Sequence, residues 1–326
     1  MSQLEHRFVD ANGIRMHIAE QGAGPLAILC HGFPESWYSW RHQIQALAEA
    51  GYHVVAPDMR GFGRTSCPHE IEAYTQPTLV GDMVGLLHAL GDETAIIVGH
   101  DWGAPVAWNA ALMRPDLFPA VIALSVPYTP RAAIVVNGRP MPPTEIFKAV
   151  AGENFLYLLY FQEPGKAERE LEADVRRWLR GFFFTASGDM PPEKVRFWGM
   201  PRDSRFSDAF EFPEELPAWL TEEDLDYYAG EFERSGFRGG LNWYRNFDRT
   251  WEQMAAFTNA RIAVPALFIA GDRDGVITGS RAAVDALPQT VPKLQASILL
   301  EGCGHWTQQE RPEEVNRAIL EFLETL

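Results

Sequence analysis

Over residues 1–130, short apolar runs alternate with stretches whose apolar positions recur at helical spacing. Leu26–Cys30, Tyr52–Ala56, Ile96–Val98 and Val121–Val126 read as strands, and Trp40–Ala50 and Thr78–Leu90 as helices. This alternation predicts parallel βαβ units. After Pro127 the texture changes. Prolines cluster, strand-like runs become rare, and from Glu145 to about Trp251 the chain is aromatic, charged and helical in pattern, as in Glu168–Phe183 and Glu222–Glu233. A buried-strand run returns at Val264–Ala270. Ala296–Leu300 reads as a last strand and Glu313–Leu323 as a last helix. The pattern predicts an α/β protein: a mostly parallel sheet flanked by helices, interrupted by a mainly helical insertion. Residues 1–130 form the first part of the core, 131–256 a helical cap, and 257–326 the second part of the core.

Composition narrows the class. The chain has 326 residues, 46% of them hydrophobic, enough for one large core with an inserted subdomain. The formal net charge of −16, with no lysine- or arginine-rich run, disfavours nucleic acid and anionic membranes as partners. Cys30, Cys67 and Cys303 are widely spaced and contain no CxxC, which suits a reducing compartment and neither a disulfide framework nor a zinc site. Met1–Glu20 is charged throughout and no apolar run reaches membrane-spanning length, so neither a signal peptide nor a span is expected. A cytoplasmic protein, monomeric or homodimeric, is the expectation.

The candidate chemistry centres on Gly99-His100-Asp101-Trp102-Gly103, between the run Thr94–Val98 and a helix-like stretch, Ala104–Met113. A G-x-S-x-G in this setting is the sharp strand-to-helix turn that presents a serine nucleophile. The chain has no G-x-S-x-G, and here the turn carries aspartate. A carboxylate displaces a leaving group at saturated carbon and leaves an alkyl ester on the enzyme. That points to cleavage of an epoxide or a carbon–halogen bond. Asp274 follows the strand ending at Ala270, and His305 sits in the glycine-rich Gly302-Cys303-Gly304-His305-Trp306. The order nucleophile, acid, histidine is that of α/β-hydrolases, and all three fall at carboxyl ends of predicted strands. The acid would hold one imidazole N–H and leave the other nitrogen for water. The N–H groups of Phe33 and Trp102 are the expected oxyanion donors. Asp272 reads as a turn residue. His31 and His100 read as structural histidines, and Asp58–Ser66 as a braced loop.

These residues resemble the soluble epoxide hydrolases of the α/β-hydrolase fold over nearly the whole chain. In the core the match is carried by 31–41 (HGFPESWYSWR), 99–105 (GHDWGAP) and 304–308 (GHWTQ). In the insertion it is carried by 157–165 (YLLYFQEPG) and 235–246 (SGFRGGLNWYRN). The resemblance implies a cap whose Tyr157 and Tyr244 hydrogen-bond the epoxide oxygen and protonate it as the ring opens, with Tyr160 close enough in sequence to be confused with Tyr157. It implies a hydroxyalkyl ester on Asp101, hydrolysed by water that His305 and Asp274 activate to release a vicinal diol, with no metal or cofactor. Phe33, Pro34, Trp102, Phe161 and Trp306, with Phe183 and Trp198, suggest an apolar pocket for aryl or alkyl epoxides. Two alternatives stay open. A haloalkane dehalogenase uses the same nucleophile, although it usually has a second halide donor where this chain has Phe33, and Ser125–Arg131 lacks the acid that some carry there. A ligand receptor on the same fold would bind without turnover.

Overall fold

The computed structural model describes residues 3–131, 135–136, 139–195 and 199–326. Its main sheet has eight strands: β1 (Glu5–Ala11), β2 (Ile14–Gln21), β3 (Leu26–Cys30), β4 (His53–Pro57), β5 (Ala95–His100), β6 (Ala120–Leu124), β9 (Ala266–Gly271) and β10 (Leu294–Leu300). Two-residue strands, β7 (Val135–Val136) and β8 (Arg139–Pro140), pair separately. The order across the sheet is β1-β2-β4-β3-β5-β6-β9-β10. From β4 to β10 every pairing is parallel. β3, β6 and β9 are buried along their whole length, as expected of continuous apolar strands covered by helices on both faces.

The first two strands depart from the expected parallel alternation. β1 and β2 form an antiparallel hairpin, and β2 pairs antiparallel with β4. β1 is an edge strand with an exposed first half, so its charged positions hid the strand pattern. The signal was local: Asn12-Gly13 joins the strands with φ of 48° and 77°, the left-handed pair that a tight hairpin turn requires.

In the core, α1 (Arg41–Glu49) and α14 (Pro312–Leu323) cover one face of the sheet. α2 (Gln76–Leu90) and α3 (Gly103–Met113) lie on the other. α14 starts with Pro312 in its first turn and buries Val315, Ile319, Phe322 and Leu323, one stripe at helical spacing, against the cluster holding Ile44 and Leu47. α11 (Gly275–Gly279), α12 (Arg281–Thr290) and α13 (Thr307–Glu310) flank β9 and β10 in sequence.

Between β6 and β9 run α4 (Pro143–Ala151), α5 (Tyr157–Tyr160), α6 (Lys166–Leu171), α7 (Val175–Thr185), α8 (Glu222–Ser235), α9 (Arg238–Tyr244) and α10 (Phe247–Gln253). The helix expected over Glu168–Phe183 is two helices. Asp174 leaves the helical conformation at φ −155° and its carboxylate accepts the Arg177 N–H, capping α7 and ending continuity with α6. Most of the described aromatic residues of this insertion join the hydrophobic cluster of the α2/α3 face, while Tyr227 packs against the cluster of the other face. Polar bonds seat it on the core: the Trp37 indole donates to Tyr227 (2.6 Å), Tyr38 donates to Asp224 (2.8 Å), and the Trp243 indole donates to the Arg60 carbonyl (3.1 Å). Among the described residues, no helix is long and apolar enough to cross a membrane.

Candidate active site

Asp101 sits on the turn between β5 and α3 with φ +49°, a left-handed conformation that costs a non-glycine residue on the order of 1–3 kcal/mol. Glycines permit the turn. A Cβ at Gly99 would lie 2.1 Å from the Gly103 carbonyl oxygen, and one at Gly103 would lie 2.0 Å from the Cys30 carbonyl oxygen. Strand, turn and helix therefore approach more closely than any side chain allows.

The turn lifts the Asp101 carboxylate, 13% exposed, between two partners. The Phe33 N–H donates to Oδ1 at 2.7 Å, and His305 Nε2 stands 3.4 Å from Oδ2. His305 Nδ1 is 3.0 Å from Asp274 Oδ2. Asp274 is itself fixed, because its Oδ1 accepts the Val276 N–H (2.8 Å) at the start of α11. The expected Asp101, His305 and Asp274 thus come together from three separate loops. Asp272 does not join them; its carboxylate accepts the Gly302 N–H, in line with a turn residue. Trp102, the residue after Asp101, opens α3, and the Phe33–Pro34 bond is cis.

Burial lowers the pKa of His305, but the charges and hydrogen bonds of Asp274 and Asp101 outweigh it and raise the value well above 6.5. Both acidic neighbours favour the charged form of the imidazole over the neutral one.

Tyr157 and Tyr244 come from different insertion helices and meet over the site, with ring centroids 6.2 Å apart at 76°. Tyr244 packs on Phe33 (5.6 Å) and Trp102 (5.0 Å), and Tyr157 stacks on Phe206 (5.3 Å). Burial, then the Asp101 charge, raises both phenols above their ordinary value of 10, so both are neutral donors. Tyr160 is turned to another task, donating to Glu170 at 2.6 Å. Phe33 is the hub of the aromatic wall, with Phe161 at 6.0 Å. Trp306 is fully buried, 4.8 Å from the His305 ring and 4.7 Å from Phe183. Trp198 lies outside the described residues.

Sequence reasoning left Glu35 unassigned. It is fully buried; one oxygen accepts the Gly32 N–H (2.9 Å) and faces His100 Nδ1 (2.7 Å). His100 Nε2 in turn bonds the His305 carbonyl (2.7 Å), which Ser125 Oγ also reaches (2.9 Å). One polar chain so joins the Phe33 loop, the Asp101 turn and the His305 loop. The signal was an acid within His31–Ser36, where an apolar loop had no evident use for one. His31, Asp58 and Arg60 brace the neighbouring loop: His31 Nε2 accepts the Met59 N–H (2.9 Å), Asp58 bonds His17 (2.8 Å), and Arg60 pairs with Asp82 (2.5 Å).

Comparison with known proteins bears on this arrangement. A family model described as alpha/beta hydrolase fold matches residues 25–312. Epoxide hydrolase A of Mycobacterium tuberculosis (strain ATCC 25618 / H37Rv) is 50% identical over 329 residues, spanning 99% of this chain and 98% of that protein. Epoxide hydrolase 2 of Siraitia grosvenorii is 42% identical, with 99% of each chain covered. Among solved structures, an epoxide hydrolase from an endophytic Streptomyces superposes with a TM-score of 0.93 at 52% identity, covering 98% of this chain and 95% of that one. Epoxide Hydrolase A from Mycobacterium thermoresistibile gives 0.92 at 48% identity, with 99% and 98% covered.

Proposed function

The chain belongs to the epoxide hydrolases of the α/β-hydrolase fold, and from that premise we propose that it opens apolar epoxides through an ester on Asp101. The observation that carries this reading is the bracketed carboxylate. Phe33 N–H holds Oδ1, which leaves Oδ2, on the His305 side, as the attacking atom.

In the first step Oδ2 displaces the ring oxygen from one epoxide carbon. The released alkoxide is a poor leaving group and takes a proton from Tyr157 or Tyr244, whose neutral phenols suit that role. The product is a neutral hydroxyalkyl ester. In this scheme His305 starts protonated, the form its acidic neighbours favour, and the loss of charge on Asp101 removes one of those influences. The imidazolium gives its proton back to the tyrosinate and becomes a base. In the second step neutral His305, oriented by Asp274, takes a proton from water as the hydroxide attacks Cγ. The tetrahedral oxyanion on Oδ1 rests on the N–H groups of Phe33 and Trp102. Collapse passes the acid proton to the departing alkoxide, so that a vicinal diol leaves and carboxylate, imidazolium and phenol are restored.

The segment 131–256 serves in this reading as a cap that supplies the two phenols. The aromatic rings around Phe33 and Phe161 favour aryl and alkyl epoxides over sugar-like ones. One turnover of excess enzyme on styrene oxide in ¹⁸O-water tests the scheme. Label in the Asp101 peptide with unlabelled diol is expected, because the diol carries away Oδ2. Label in the diol with Asp101 unlabelled would refute the ester. Asp101→Ala is expected to abolish turnover and His305→Gln to accumulate ester.

A further inference from the structure

Glu310 has a carboxylate that the reaction above does not use. The residue is only 7% exposed. Its Oε2 accepts the N–H groups of Gly304 (2.8 Å) and Gly188 (2.9 Å), and its Oε1 accepts the N–H of Trp306 (3.0 Å). Gly304 and Trp306 are the two neighbours of His305 in the chain. Gly188 belongs to the insertion, so one buried carboxylate grips both sides of His305 and a residue beyond α7 together.

The surroundings repeat the connection. The His305 N–H donates to the Ala186 carbonyl (2.8 Å), the Trp306 indole donates to the Phe183 carbonyl (2.8 Å), and the Arg273 guanidinium donates to the Gly188 carbonyl (2.8 Å). The two backbones touch directly. A Cβ at Gly188 would lie 2.1 Å from the Gly302 carbonyl oxygen, and one at Gly304 would lie 2.2 Å from the Gly188 nitrogen. A buried carboxylate is costly unless several donors satisfy it, and three backbone N–H groups do so here. Such an arrangement serves placement.

We propose that Glu310 is a positioning residue for the water-activating step, holding the peptide groups on either side of His305 and tying them to residues 186–188 so that the imidazole meets water at the ester carbon. The proposal rests on the ester reaction set out above. It assigns Glu310 to hydrolysis and not to alkylation, because Glu310 is hydrogen-bonded to neither Asp101, Phe33 nor the two tyrosines, while both of its loop contacts flank His305.

Glu310→Gln keeps shape and one acceptor oxygen but turns an amide NH2 toward an N–H. The assay is rapid-quench single turnover on styrene oxide with intact-mass detection of the ester, alongside Tm. A slip of the His305 loop is expected to lower the hydrolysis rate constant by about ten- to a hundredfold. The alkylation rate constant is expected to stay within about threefold, so that ester accumulates. Gly188→Ala approaches the same joint from the insertion and is expected to give the same split, which keeps the test available if Glu310→Gln does not fold. Parallel loss of both rate constants, or unchanged hydrolysis, overturns the proposal. His305→Gln serves as the control. If it traps ester and neither joint variant does, the ester scheme stands and the role of Glu310 falls; if it traps none, there is no hydrolysis step to tune and both fall.

Discussion

Gly32→Ala tests how closely Asp101, the proposed nucleophile, is held. Gly32 does not occupy the left-handed region, so alanine costs it no backbone strain. The cost is contact. A Cβ there would lie 2.2 Å from Asp101 Oδ1 and 2.7 Å from its Cγ, against an ordinary contact distance of about 3.4 Å. More than 1 Å must be recovered. Either the Asp101 carboxylate swings away, or the 32–33 backbone retreats and carries the Phe33 N–H off Oδ1. Both routes spoil the bond at 2.7 Å that aims Oδ2. A displacement of this size costs about a hundredfold in rate, or about 2.7 kcal/mol of barrier. Single-turnover alkylation with enzyme in excess reads the effect, and thermal melting by circular dichroism checks that the fold is kept. An alkylation rate within about threefold of the parent protein, with an unchanged Tm, would refute the claim that this approach sets the nucleophile.

Other tests follow from the same geometry. Tyr244→Phe removes one of the two phenols proposed to protonate the leaving oxygen and is expected to slow alkylation about ten- to a hundredfold, with Tyr157→Phe/Tyr244→Phe losing more than either single variant; single-turnover rates decide, and an unchanged rate in the double variant would count against proton donation by these residues. Burial would raise the Glu35 carboxyl, but the charge and hydrogen bond of His100, with the Gly32 N–H, hold it down at about 2 from an ordinary 4.5. A lowered carboxyl contributes stability that is fully present above pH 4.5 and drains away as pH falls toward about 2. Tm followed from pH 6 to 2 is expected to drop more steeply in the parent than in Glu35→Gln, and identical slopes would contradict the assignment. Ile319 on α14 is fully buried, so Ile319→Ala is expected to cost about 2–5 kcal/mol in urea unfolding without changing single-turnover rates.

What the sequence determined by itself is the part written in local runs. The strands of the central sheet are continuous apolar segments because both of their faces are covered, so β3, β5, β6 and β9 were legible to within a few residues. The turn at Asp101 was legible because its glycines are demanded by backbone approach within five consecutive residues. Asp274 and His305 could be named because sheet topology sends the chain back to one edge after each strand. The β1–β2 hairpin was missed, since an edge strand carries charge wherever solvent reaches it. The break at Asp174 was missed because a single side chain's bond to the Arg177 N–H outweighed helical periodicity.

Only the tertiary structure decided which tyrosines pack together beside Phe33 and Trp102. Tyr157 and Tyr160 lie one helical turn apart, and it is the Glu170 carboxylate, ten residues on, that takes Tyr160 away. Only the tertiary structure joined Glu35 to His100 and on to the His305 carbonyl, or brought Gly188 against Gly304 under the Glu310 carboxylate. The physical reason is the same in each case. A buried polar group must find its partner wherever the fold puts one, and the partner's distance along the chain carries no pattern from which to read it.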